Sequence, residues 1–278
     1  MTPLDPDPQP RHAAPEVVPD PESVARPVLI ELTALTLSHR AQAVFGPITT
    51  TVPHGGLVVA HGPAGSGRSS FLLALAGRMR GLTGTLAAPG PVPADARARR
   101  RVERERRNAA AVARVGTLVT PEDRLTVGES ITERCLIDAV TVADGHTRFA
   151  ELVAGLRDAD LPGPPMALDH DTLVGELSAR DRAVFAVLLA MLRRADLVVL
   201  DDADDSLDTD QQAELYAALQ HLSATGCTVV ASTCDLRGVP AETPVITLPS
   251  HPEPTHPEPT HPEPTHPEPT HPELMQES

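Results

Sequence analysis

The sequence predicts an α/β fold built around a buried parallel sheet, and three stretches predict it. Leu57–Ala60 is an apolar run that feeds a glycine-rich loop, and the apolar stretch RSSFLLALAG follows the loop as a helix. Leu197–Leu200 is wholly apolar and ends in paired aspartates. The segment GCTVVAST, from Gly226 to Thr233, supplies a further apolar strand. Strands apolar on both faces, rather than alternating, belong to a parallel sheet covered by helices on each side, and such a strand delivers polar groups at its C-terminal edge.

The loop reads HGPAGSGRSS from His61 to Ser70, a G-x-x-x-x-G-R-S phosphate-binding pattern with Arg68 where the motif has lysine. Gly62, Gly65 and Gly67 let the backbone bend closely around an anion, with Pro63, Ala64 and Ser66 between them. The positive N-terminal end of the following helix then faces the same phosphates. Ser69, followed by Ser70, stands where a hydroxyl ligates Mg²⁺ in such loops. The plainer alternative is a strand-to-helix turn that binds nothing. Arginine keeps the positive charge but replaces a compact ammonium with a longer, planar fork. All 23 basic residues are arginines, so a chain-wide bias also accounts for Arg68.

The 278 residues suffice for one large core or two small ones, and with only 2% aromatic residues that core must consist mainly of Ala, Leu and Val. The net charge is −15, but the ends carry much of it. Residues 251–278 hold six Glu and no base, and residues 1–27 hold five acids against two Arg. The modest acidity left in the middle excludes a broad nucleic-acid-binding surface. Residues 1–27 show no cationic start followed by an apolar run, so no signal peptide is expected. From His251 the pentapeptide HPEPT occurs four times, which predicts a disordered, semi-rigid polyproline tail over 250–278. Its repeats would span roughly 70 Å. A linker explains the tail; metal binding by its histidines is the alternative. The segment from Arg97 to Arg107 holds seven Arg and two Glu, and its Arg99/Glu103 and Glu103/Arg107 spacings predict a solvated helix face. Contact with an anionic lipid or partner is the other reading. Three scattered cysteines, Cys135, Cys227 and Cys234, suit reduced thiols in a cytoplasmic protein. The longest apolar run, Val184–Leu192, is far too short to cross a bilayer.

A second and a third motif follow in order. Leu177-Ser178 precedes a strongly apolar helix, and Ser178 with Asp181 predicts an S-x-x-D capping box. After it comes LVVLDDADDSLD, in which Asp201 would hold Mg²⁺ and Asp202 would sit beside the attacking water. An acidic turn after a core strand is the alternative there.

With these residues in place, about 28–249 of the chain resembles the ATPase subunit of ATP-binding cassette (ABC) transporters. FLLALAGRMRGLTGTL is similar to the family's segment after the loop, RLTVGES (124–130) to its "LTV.EN" segment, and LVVLDDADDSLD to its Walker B strand and D-loop. LSARD (Leu177, Ser178, Ala179, Arg180, Asp181) stands where the family has its LSGGQ signature, and His39 where it has an aromatic that stacks on adenine. The resemblance implies a P-loop NTPase (RecA-like) core, an N-terminal antiparallel β subdomain over the first strands, and a helical subdomain at about 121–180. It implies ATP and Mg²⁺ as ligands, a membrane permease subunit and a second cassette as partners, and a place at the inner face of the membrane through that permease.

The departures from the family pattern fall at catalytic positions. Arg68 replaces the lysine, residues 115–130 contain no glutamine, Asp202 replaces the catalytic glutamate, and Cys234 stands where the family has its switch histidine. In the signature, Ala179 and Arg180 replace two glycines and Asp181 replaces glutamine. These changes predict MgATP binding with very slow turnover, an unfavourable Asp181 charge near the γ-phosphate, and Arg180 crowding or pairing with that phosphate. A non-hydrolysing regulatory or scaffold protein that uses the cassette as an interaction module is the alternative.

Overall fold

A computed structural model describes residues 26–250, except for 41, 92 and 117. The predicted tails, including the HPEPT repeats, lie outside these residues apart from a few at each junction. The architecture is α/β, as the sequence predicts. β1 (Val28–His39), β2 (Gln42–Pro53) and β4 (Leu82–Ala87) form an antiparallel three-stranded sheet in the order β2-β1-β4. β3 (Gly56–His61), β5 (Ala110–Arg114), β6 (Leu197–Leu200), β7 (Thr228–Thr233) and β8 (Val245–Thr247) form a parallel sheet in the order β5-β6-β7-β3-β8.

The parallel strands are buried on both faces, and their two-residue period sorts side chains between two cores. Val58, Ala60, Val199 and Val230 point to one face, where α1 (Arg68–Leu75) and the antiparallel sheet cover them. Leu57, Val59, Val198, Leu200 and Val229 point to the other. There they meet α3 (Val127–Asp138), α4 (Val142–Asp158), α5 (Ala179–Ala190) and α6 (Thr209–Ser223). All five aromatic side chains of the chain are buried. They supply one edge-on pair to each core, Phe45–Phe71 on the first side and Phe149–Phe185 on the second. The rest of the packing is mainly Ala, Leu and Val, as the composition requires.

Local signals set the helix starts. Thr126 and Glu129 close a reciprocal capping box on α3, and Asp208 and Gln211 close another on α6. The Asp95 carboxylate caps α2 (Ala96–Ala109) by accepting from the Ala98 N–H at 2.7 Å. This is the arginine-rich helix, and its ion pair is Arg101–Glu105 rather than either predicted Glu103 pair. Helix packing explains part of the difference. Arg106 and Arg107 turn inward and donate to the carbonyls of Leu86 and Gly77, so Arg107 is committed to the body of the protein.

Phe185 is fully buried at the centre of α5, with its ring centroid 6.0 Å from that of Phe149. Phe185→Ala removes that ring from a close-packed site and is expected to cost about 3–5 kcal/mol of stability, read as a shift in the urea unfolding midpoint at constant slope.

Candidate functional site

The parallel arrangement brings the C-terminal ends of β3, β5, β6 and β7 to one edge of the sheet, and the predicted site residues gather there. The loop from Gly62 to Gly67 leaves β3 and opens α1. Gly67 is the N-cap residue of α1, with φ +84°, and no side chain caps the helix. A Cβ at Gly67 would collide with the carbonyl of Val44, so the position needs glycine for space as well as for conformation. The first turn of α1, Arg68, Ser69 and Ser70, therefore presents backbone N–H groups that no helix carbonyl or cap satisfies. Pro63, Ala64 and Gly65 are exposed on the rim of the loop, while Ser66 is buried and its hydroxyl has no protein partner. His39 is exposed at the end of the β1–β2 hairpin, whose Val44 carbonyl abuts Gly67.

The Arg68 guanidinium does not extend toward the open side of the loop. Its Nη1 donates to the carbonyl of Gly62 and its Nη2 to Asp202 Oδ1 at 2.8 Å. Arg68 and Asp202, at the centre of the candidate site, are thus ion-paired to each other. Burial and the neighbouring Asp201 carboxylate push Asp202 above the usual carboxylate range, against the pull of Arg68.

Asp201 ends β6, where it is 1% exposed. Its Oδ1 accepts from the Ser232 hydroxyl at 2.5 Å, while its buried Oδ2 has no protein partner. An ionised oxygen in that state needs a cation or a strong donor. The group therefore fits the role of a Mg²⁺ ligand, and Ser69 in the first turn of α1 is a second candidate ligand. Among the described residues no group of three or more His, Cys, Asp or Glu is gathered to hold a metal alone, so a cation here would also depend on ligand oxygens.

Sequence reasoning missed the groups that shape this corner. Asp202 has φ +46°, in the left-handed region, and two backbone contacts hold it there. Its N–H donates to Ser232 Oγ at 2.9 Å, while Arg114 Nη2 binds its carbonyl at 2.6 Å. Arg114 also binds the carbonyl of Asp201 through Nε and Nη2. The available signal was a charged residue at the end of the otherwise apolar strand AAVAR. Cys234 binds the Asp204 carboxylate through both its thiol and its N–H. That hydrogen bond, together with burial, pushes the thiol pKa up, so Cys234 is a neutral donor rather than a thiolate.

The LSARD segment differs from what its side chains predict. Leu177 is buried, Ser178 begins α5 and Ala179 is half-buried at the edge of a cleft. Arg180 and Asp181 are both buried, and neither faces the open end of the helix. Arg180 pairs with Asp181 at 2.7 Å and with Glu214 of α6 at 2.6 Å, and it also donates to the carbonyl of Pro164. The expected Asp181 charge and Arg180 bulk at a phosphate are therefore corrected: both groups are consumed internally. The capping box is half-formed. Ser178 Oγ accepts from the Asp181 N–H, but the Asp181 carboxylate turns to Arg180 and the Ala167 N–H, because a buried guanidinium outcompetes a terminal backbone donor.

Truncating the hub of this triad strands the buried Asp181 and the half-buried Glu214. Arg180→Ala is expected to lower unfolding stability by about 3–5 kcal/mol, whereas Glu214→Gln, which keeps one hydrogen bond, costs less. Chemical denaturation of the two variants measures the difference.

Comparisons with known proteins agree with this fold. The family model described as ABC transporter matches residues 45–205. A putative ABC transporter ATP-binding protein of Streptomyces coelicolor is 29% identical over 227 residues, covering 78% of this chain and 36% of that protein. The cobalt import ATP-binding protein CbiO of Rhodobacter capsulatus is 28% identical over 192 residues, covering 68% of this chain and 63% of its own. Against the rat ATP-binding cassette sub-family B member 6, the match is 28% identical over 40% of this chain and 14% of the relative. The chain thus spans less than two thirds of the length of these relatives. Among solved structures, cbiO1 of Clostridium perfringens, part of the ABC transporter complex cbiONQ, superposes with a TM-score of 0.59 at 14% identity, covering 80% of this chain and 85% of that one. The dimeric bacterial ABC transporter cassette MJ0796 gives 0.57 at 17% identity, over 80% and 94%. At these identities the structures speak for the fold alone. With a family match over more than half its length and the cassette architecture around its loop, the chain belongs to the ABC transporter family.

Proposed function

We propose that this chain is the ATP-binding subunit of an ABC-type transport system, holding MgATP at the loop Gly62–Ser70 and turning it over slowly or not at all. The observation that carries the reading is the uncapped N-terminus of α1 after a glycine loop, joined through the Arg68–Asp202 pair to the segment that holds the unpartnered Asp201 Oδ2. In this reading the free N–H groups of Arg68, Ser69 and Ser70 take phosphate oxygens, and His39 borders the adenine. Ser69 and Asp201 hold Mg²⁺, which when bound neutralises charge on the terminal phosphates. Residues 28–249 form the cassette, with about 121–180 as its helical subdomain.

Slow turnover follows from the same geometry. Phosphoryl transfer depends on positioned charge, and here Arg68 and Asp202 neutralise each other. An aspartate also falls about 1 Å short of where a glutamate carboxylate reaches, a misplacement that can cost ~100-fold in rate. Among the described residues no helix is long and apolar enough to cross a membrane, which suits a subunit held at the membrane by a permease and paired with a second cassette. CbiO and cbiO1, named for cobalt import and for the complex cbiONQ, support that assignment of partners by likeness. The Arg68–Asp202 pair also favours a second reading, a non-hydrolysing regulatory module. Phosphate release that disappears in Asp202→Ala separates the two, since only the first reading has it.

Calorimetric titration with MgATP is the primary test. Micromolar binding is expected, with about a tenfold or greater loss in Arg68→Ala, because the Asp202 charge then faces the phosphates uncompensated. Absence of heat in both proteins, with folding confirmed by circular dichroism, overturns the ATP-binding reading.

The raised pKa of Asp202 gives a signed pH dependence. At neutral pH its negative charge opposes phosphate and restrains Arg68; protonation removes both effects. Asp202→Asn is therefore expected to bind MgATP several-fold more tightly than the native protein at pH 7.5, with the ratio falling toward one as the pH drops through the upper carboxylate range. Taking the ratio cancels the titration of the nucleotide itself.

A further inference from the structure

We propose that Arg114 reads the terminal phosphate of the bound nucleotide, a role that rests on the MgATP reading above. Beyond the loop, at the ends of β5 and β6, lies a cleft of about 450 Å³ lined by Arg114, Arg182, Asp201, Asp202, Asp205 and Ser206. Arg68 ties this cleft to the loop through its pair with Asp202. Because Arg68 of the first turn of α1 pairs with Asp202, and Asp202 lines the cleft, a phosphate chain held by that turn would have its terminal group on the cleft side.

With Thr120, the cleft carries five acidic or hydroxyl groups, so a phosphate entering it needs a cation. Arg68 is held by the Gly62 carbonyl and Asp202. Arg182 is held by the carbonyl of Gly175 at 3.0 Å and lies 3.4 Å from Asp123 Oδ1. Arg114 differs from both at its terminal nitrogens: those of Arg68 and Arg182 are all engaged, although Arg182 Nε is buried without a partner. Arg114 Nε and Nη2 are occupied by the carbonyls of Asp201 and Asp202, but among the described residues its Nη1 has no partner. Two backbone carbonyls thus fix the plane of the guanidinium and leave one end of the fork open. That is a preorganised anion site, in which little side-chain entropy remains to be lost on binding.

The electrostatics agree with the geometry. Burial lowers the Arg114 pKa, while Asp205, Asp202 and Asp201 offset part of that effect, and an arginine so placed stays charged. The same side chain supports the left-handed turn at Asp202. Arg114 therefore couples the conformation of the aspartate to the presence of the terminal phosphate.

A purely supporting role and a phosphate-reading role predict different nucleotide selectivity. The test is calorimetric titration of the full chain, and of its Arg114→Met and Arg114→Lys variants, with MgATP and separately with MgADP. Arg114→Met is expected to lose about tenfold or more in MgATP affinity, with MgADP affinity changed by about twofold or less. Arg114→Lys keeps the charge without the fork and is expected to fall between. Equal losses for both nucleotides, or no loss for either, overturn the proposal. Should Arg114→Met not fold, the lysine variant decides alone: a lowered ATP-over-ADP preference supports the role and an unchanged preference overturns it. A native protein that binds neither nucleotide instead overturns the ATP-binding reading itself.

Discussion

Parallel pairing of β5, β6, β7 and β3 governs this molecule, because it points four strand ends in the same direction. The glycine loop leaves β3, Arg114 ends β5, Asp201 and Asp202 follow β6, and Ser232 through Cys234 close β7. No two of these segments are neighbours in sequence, yet all of them meet at one edge. The sheet can hold this arrangement because its strands are apolar on both faces and each face has its own core. A polar residue in the middle of one of these strands would disturb a core; at the end it meets the site.

Within the site the cations are unequally committed. Arg68 faces inward and is neutralised by Asp202, Arg182 is anchored to the segment before α5, and Arg114 braces the turn after β6. A lysine at position 68 would be a compact charge on a flexible stem, free to leave a carbonyl for a phosphate. A planar fork that satisfies two acceptors at once has more to lose by moving. The site is thus built with an internal ion pair at the position where the phosphate-loop motif has lysine.

The segment 177–181 shows how burial rewrites a motif. Read alone, Arg180 and Asp181 are charged groups at a helix start. In the fold these two buried groups form a triad with the half-buried Glu214, a residue of α6 distant in sequence. Charges that would oppose a phosphate at the helix end are spent holding α5 to α6, and the backbone at Ala179 is what remains at the cleft.

Much of this was legible in the residues. The apolar runs at 57–60, 197–200 and 228–231 determined the strands, since nothing but a two-sided core would accept them. The glycine spacing of 62–67 determined the loop, because Gly67 has both a left-handed φ and a carbonyl where a Cβ would sit. The partners of the charged side chains were not legible. Which acceptor each arginine takes depends on which strand ends and helices are brought within about 3 Å, and that is set by packing between segments far apart in sequence. Arg68 meeting Asp202, Arg180 meeting Glu214 and Arg114 gripping the turn at Asp202 are contacts across 134, 34 and 88 positions of the chain. Local propensity and motif spacing reach only a few residues along a strand or helix, so these pairings could come only from the folded arrangement.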